Sequence, residues 1–205
     1  MTIKLTNAGK RFNRDWIFRK ATHTFLPGQT YAITGSNGSG KSTLLQAIGG
    51  SLGISEGTIE WTVNNKVINP DNVFNYLTIA APYVEVIEEM TALEFLQFHQ
   101  KFKPLLPSVS IKKILAIIGL EKSATKQIRY YSSGMKQRIK LAQAIFSDVP
   151  LLLLDEPCTN LDVPGFELYN NLVKDFASQK TIIVSSNDIN EYSFCKEILS
   201  ISDYK

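Results

Sequence analysis

Between Gly35 and Thr43 the chain reads GSNGSGKST, which satisfies G-x-x-x-x-G-K-[ST] in full. Residue types in this spacing serve phosphate chemistry. Gly35, Gly38 and Gly40, interleaved with Ser36, Asn37 and Ser39, let backbone N–H groups converge on an anion without side-chain obstruction. A helix expected to start at the end of the loop adds partial positive charge. Lys41 is placed to neutralise the β and γ phosphates of a nucleotide, and Ser42, followed by Thr43, brings a hydroxyl to Mg²⁺.

A second segment, LLLLDEP from Leu151 to Pro157, ends an apolar run in two carboxylates. Asp155 is placed to hold Mg²⁺ through water, and Glu156 to polarise an attacking water as general base. The pair of segments points to metal-dependent hydrolysis of a nucleoside triphosphate. A third segment, YSSGMKQR from Tyr131 to Arg138, sets small residues and hydroxyls ahead of Gln137 and Arg138, another surface fit for an anion. It lies far along the chain from the phosphate loop, which raises the question of whose phosphate it would hold.

The elements that must position these segments follow from periodicity. Alternation at Thr2–Leu5, an apolar patch at Ala21–Leu26, the run TYAIT at Thr30–Thr34 and the alternating Thr58–Val63 predict strands, with Asn64 and Asn65 as a turn. Leu77–Ala81 predicts a short strand. Thr91–Phe102 and Ser110–Leu120 carry helical periodicity, the first opening on Thr91 and Glu94 as a capping box. From Pro150 strand and helix alternate again: Leu151–Leu154 and Thr181–Ser186 are continuous apolar runs of the kind buried in a parallel sheet. Two α/β parts thus flank a helical insert at about residues 84–135.

Bulk properties bound the partners. The 205 residues suit one large domain or a domain with a subdomain, and 44% hydrophobic with 20% charged residues is an ordinary globular balance. A net charge of +3 from 22 basic and 19 acidic residues, scattered along the chain, gives little reason to expect nucleic acid. No window is apolar enough for a membrane span, so the chain is expected in the cytoplasm. Cys158 and Cys195 have no partners at metal-ligand spacing and read as reduced structural thiols.

Taken in order, GSNGSGKST, EGTIEW (Glu56–Trp61), YSSGMKQR, LLLLDEP and TNLD (Thr159–Asp162) resemble the ATP-binding subunits of ABC transporters over nearly the whole chain. The resemblance implies a single α/β domain over 1–205: a P-loop NTPase (RecA-like) core with an N-terminal antiparallel β subdomain in 1–83 and 136–205, and an inserted α-helical subdomain at about 84–135. It also answers the question of the third segment. In the family the turn matching YSSGM opens a helix aimed at the γ phosphate held by a second subunit, so Ser132 and Gly134 would touch the partner's ATP, with Asp162 near the same interface. Two chains packed head to tail, as a homodimer or heterodimer, would close two sites at once. For the adenine, the family's upstream aromatic matches Phe12 best, with Trp16 as the substitute candidate.

The chain departs from the family's pattern at several positions. Pro82 is followed by Tyr83 where a glutamine is usual, Asn187 stands where a histidine contacts the γ phosphate, and Ser133 and Met135 replace a glycine and a glutamine in the signature turn. Asparagine can donate a hydrogen bond but cannot take up a proton near neutral pH. Two functions are therefore set against each other: an ATPase motor that drives a separate transmembrane permease from the inner face of the cytoplasmic membrane, and a nucleotide-gated module that dimerises on ATP but hydrolyses it poorly. The permease's coupling helix would dock in a cleft bordered by Tyr83, Val84, Val86 and Ile87, where an apolar patch would suit a partner helix, unless these residues cover the insert's own core.

Overall fold

The computed structural model describes all residues from Met1 to Lys205. The chain opens with a long hairpin, β1 (Thr2–Phe12) and β2 (Asp15–Phe25), and then crosses to β3 (Thr30–Thr34) and α1 (Lys41–Ile48). It returns through β4 (Glu56–Val63) and β5 (Lys66–Ile68), and β6 (Leu77–Ala80) follows. The hairpin runs well past the predicted Thr2–Leu5 because β1 changes register between Leu5 and Ala8, at Asn7 with φ 49°. The irregularity breaks the alternation that marks a strand in sequence. The turn at Asn64 and Asn65 forms as predicted, both residues at positive φ, the geometry a two-residue hairpin demands.

The middle of the chain supplies α2 (Ala92–Gln100) and α3 (Ile111–Ile117), and α4 (Ser133–Ile145) leads back to the core. The capping box on α2 is present: the Glu94 N–H donates to Thr91 Oγ1 at 3.2 Å and the Thr91 N–H to Glu94 Oε2 at 2.9 Å. The remaining elements are β7 (Leu151–Asp155), α5 (Val163–Phe176), β8 (Thr181–Ser185), the short α6 (Ile189–Tyr192) and β9 (Glu197–Ser200).

The strands divide into two sheets. One is antiparallel with order β2-β1-β4-β5, and the other is parallel with order β6-β7-β8-β3-β9. All five residues of β7 and of β8 are buried, the signature of a sheet covered on both faces. Their side chains alternate between two cores: Leu152, Leu154 and Val184 meet α2 to α5, whereas Leu151, Leu153 and Ile183 meet α1 and the antiparallel sheet through Ile3, Leu5 and Phe25. One continuous apolar run thus bonds two layers that differ in kind.

The long helix α4 is fixed at both ends. Ser132 caps its start by accepting from the Met135 N–H, a contact usually worth roughly 1 kcal/mol. At its other end the buried Lys180 ammonium donates to the carbonyls of Ile145 (2.7 Å) and Ser147, meeting the free carbonyls and negative dipole there. Burial pushes that ammonium down to about 8.

Candidate functional site

The phosphate loop leaves β3 at its C-terminal end and enters α1, and the neighbouring strand ends bring the other candidates to it. In the parallel register Asp155 pairs with Ser185, and Ser185 with Ile33. The exits of β7, β8 and β3 therefore lie side by side, with β6 next to β7 leading to Tyr83. Open α/β sheets place ligands at this carboxyl edge.

Local geometry explains the loop's residue types. Gly40 caps α1 at φ 105°, and a Cβ there would lie 2.3 Å from Ile17 Cγ2. A Cβ on Gly35, at φ 147°, would lie 2.4 Å from Ile201 Cγ2. Any larger residue would force the loop off β2 or off the chain's last turn. The first turn of α1 has no side-chain cap and no acidic residue, so its N–H groups remain available to an anion. Lys41 is buried, and its ammonium curls over the loop to donate to the carbonyls of Gly35 (2.9 Å) and Ser36 (3.2 Å). Lys205 ties the loop from outside, donating to the carbonyls of Ser39 (2.7 Å) and Ile17 (2.8 Å).

The acidic pair behaves as two different groups. Asp155 is 2% exposed, and its Oδ1 is buried without a hydrogen-bond partner, as is the Oγ of neighbouring Ser185 and of Ser39 in the loop. Buried polar atoms are seldom left unpaired, and orphaned oxygens beside a phosphate loop suit a hydrated cation. No cluster of three His, Cys, Asp or Glu side chains could hold a metal alone. The donor set of Ser42 and Asp155 therefore fits Mg²⁺, which keeps several waters and leans on substrate phosphates. Glu156, one residue on, sits at φ 44°, a left-handed conformation that costs a non-glycine residue roughly 1–2 kcal/mol. Its N–H donates to the Ser185 carbonyl at 2.9 Å, and the turn is held further by the buried Gln137 amide, which donates to Pro157 O at 2.6 Å.

Two of the positions that depart from the family pattern, Asn187 and Tyr83, also lie here. Asn187 follows β8 and donates from Nδ2 to Asn37 Oδ1 at 2.8 Å, which brings its amide onto the phosphate loop. Tyr83 is 47% exposed, yet burial and then the charge of Asp155 push its phenol up to about 12, while the Gln46 side chain acts in the opposite direction as a hydrogen-bonding neighbour. The hydroxyl thus stays protonated beside Asp155. Gln46 was not singled out by sequence, although its i, i+4 spacing from Ser42 on α1 puts both on one helix face.

The two aromatic candidates differ in availability. Phe12 ends β1 with 48% exposure and only the Lys10 ammonium, 5.0 Å from its centroid, near its ring. Trp16 is half-buried, with the guanidinium carbons of Arg19 and Arg11 at 4.5 and 5.6 Å from its ring. Its faces are already engaged.

The third segment faces elsewhere. Ser132 and Ser133 are exposed at the start of α4, a Cβ on Gly134 would meet Asn160 O at 3.2 Å, and Arg138 pairs with Asp162 at 3.6 Å. Asp162 also caps α5, accepting from the Gly165 N–H at 3.0 Å. The signature turn is thus joined to the TNLD segment, while the phosphate loop is joined to Ile17, Ile201 and Asn187. Beside them Val86 is buried in the core, Val84 half-buried, and Tyr83 and Ile87 exposed, and the adjoining hollow of about 470 Å³ is bordered by Val86 together with Glu85, Glu88, Lys136 and Lys140.

A family model described as ABC transporter matches residues 18–159. The chain is 30% identical over 187 residues to an uncharacterised ABC transporter ATP-binding protein, YybJ, of Bacillus subtilis, covering 90% of this chain and 85% of the relative. It is 29% identical over 191 residues to the cytochrome c biogenesis ATP-binding export protein CcmA of Agrobacterium fabrum, covering 91% and 88%. Among solved structures, the dimeric post-hydrolysis state of the ATP-binding cassette MJ0796, bound to ADP and Pi, superposes with a TM-score of 0.80 at 25% identity, covering 97% of this chain and 93% of that one.

Proposed function

The chain belongs to the ABC transporter family, and from that premise we propose that it is an ATP-hydrolysing subunit that dimerises on ATP and drives a separate membrane permease. The observation that carries this reading is the buried, unpartnered Oδ1 of Asp155 at the same sheet edge as the phosphate loop and Glu156. Lys41 and the α1 N-terminus would hold the β and γ phosphates, and Phe12 would stack on the adenine. Ser42, and Asp155 through water, would hold Mg²⁺, which would supply neutralisation of the charge on the phosphates. Glu156 takes a proton from the attacking water, and Asn187 exchanges its bond to Asn37 for one to the γ phosphate.

The exposed start of α4, with Ser132 and Gly134, supplies the anion site for ATP on a partner copy, and Asp162 lies alongside. We assign residues 84–135 as the helical subdomain that moves with the permease, its coupling segment seated in the charged hollow at Glu85 and Lys140. No helix is long and apolar enough to cross a membrane, which accords with a peripheral position on the inner face through the permease. Nucleic acid is not among the expected partners.

The test is phosphate release by the purified protein with ATP, in Mg²⁺ and in excess EDTA, beside its mass in solution. Turnover only with Mg²⁺, together with an ATP-dependent shift to dimer, supports the motor. The bond between Asn187 and Asn37 favours the second reading, a nucleotide-gated module, since both amides must be released before catalysis. Dimerisation without turnover would select it.

The adenine assignment makes its own prediction. Phe12→Ala should weaken ATP binding by about five- to thirtyfold, the loss of roughly 1–2 kcal/mol of stacking, whereas Trp16→Ala should stay within about twofold. Titration with a fluorescent ATP analogue, chased by ATP, reads both. The opposite ranking would transfer the role to Trp16.

A further inference from the structure

Glu191 is 5% exposed, and no ion pair of the chain includes it. Burial raises its carboxyl above the ordinary range; Ser186 and the Cys158 N–H pull the other way, and Asp188 and Glu156 add repulsion. A buried carboxyl without a cation is unfavourable unless hydrogen bonds hold it in place. The carboxyl's bonds run to Ser186, just after β8, and to Cys158 in the turn after β7. Glu191 Oε1 accepts from the Cys158 N–H at 2.7 Å, and its carbonyl accepts from the hydroxyl of Tyr169, fully buried in α5, at 2.8 Å. Cys158 lies two residues after Glu156, in the turn that keeps Glu156 at positive φ. A hollow of about 260 Å³ is bordered by Glu156, Cys158, Asn187 and Glu191 together.

We propose that Glu191 is a positioning residue for hydrolysis: it holds the Cys158 N–H, and with it the left-handed turn that aims Glu156. This rests on the reading of Glu156 as general base. The turn has other supports: the Ser185 carbonyl under the Glu156 N–H and the Gln137 amide on Pro157 O before Cys158, and the main-chain bonds from the Thr159 N–H to Glu156 O at 3.1 Å and from the Leu161 N–H to Cys158 O at 2.9 Å. Only Glu191 fixes its far side through a side chain. An acceptor oxygen at this place is the requirement, so glutamine should serve and a shorter or apolar residue should not.

Glu191→Ala and Glu191→Asp are therefore expected to lower kcat for ATP hydrolysis about tenfold or more, with ATP affinity within about twofold of wild type, and Glu191→Gln to keep at least about a third of kcat. Hydrogen exchange at the Glu156–Thr159 amides, read by mass spectrometry without nucleotide, should quicken in the Ala and Asp variants and not in Gln. If Ala fails to fold, the Asp and Gln pair decides. Equal slowing by Gln and Asp, a folded Ala variant with wild-type kcat, or unchanged exchange in Asp would each overturn the proposal. A wild-type protein that hydrolyses no ATP would instead remove the reading of Glu156, and the exchange result would still show whether Glu191 holds the turn.

Discussion

Glu156→Gln should lower steady-state ATP hydrolysis by about a hundredfold to ten-thousandfold, the range typical for loss of a general base, while ATP binding survives. The change removes one property only. Glutamine keeps the length and an acceptor oxygen, so it can sit in the same left-handed turn held by Ser185, Gln137 and Glu191, but it cannot take a proton from water. Neighbouring Asp155 cannot take over, because the residue is 2% exposed, with its Oδ1 buried away from an attacking water. Asn187 cannot either, having no basic form near neutral pH. With hydrolysis blocked and the phosphate sites intact, the ATP-bound dimer should persist, so the variant should show more dimer than the wild type at equal ATP. Phosphate release and solution mass measured on the same samples check both halves. A variant that kept more than about a tenth of the rate would place the base elsewhere.

What could be foreseen from sequence follows from how local each requirement is. The phosphate loop was legible because its constraint is backbone conformation: Gly35 and Gly40 stand at φ values that other residues rarely adopt, so the chemistry writes itself into residue type and spacing. Asp155 and Glu156 were legible because a strand buried on both faces leaves an uninterrupted run of leucines before them. Strands β5 and β9 were missed: β5 is three residues long and β9 is a half-exposed edge of four, too short for a period to show. The length of β1 was hidden by its change of register at Asn7. Glu191, Gln46 and Lys205 were invisible for a different reason. Each owes its position to tertiary contact, Glu191 with a loop more than thirty positions away, and no spacing rule links such partners. Along residues 83–87 no period separates the buried Val86 from the exposed Tyr83 and Ile87, so the charged border of the neighbouring hollow was not legible either.

Lys41→Met tests the site from the opposite direction, with two effects of opposite sign. Lys41 is 5% exposed and its ammonium has no carboxylate partner; it is satisfied by the carbonyls of Gly35 and Ser36. Without nucleotide, replacing it by an apolar side chain of similar shape relieves a buried charge, so the variant should melt at the wild-type temperature or above it. With ATP the balance reverses, since the charge then lies against the β and γ phosphates. Removing one partner from a desolvated charge pair costs about 2–5 kcal/mol, on the order of thirtyfold to several thousandfold in affinity. The shift in melting temperature on adding ATP should therefore shrink or vanish, because stabilisation by a ligand follows its concentration relative to Kd. Thermal melts with and without ATP in EDTA separate this from any effect on the metal. A variant that is less stable alone but keeps the full ATP shift would make Lys41 a brace for the loop carbonyls, leaving the N-terminus of α1 as the principal phosphate anchor.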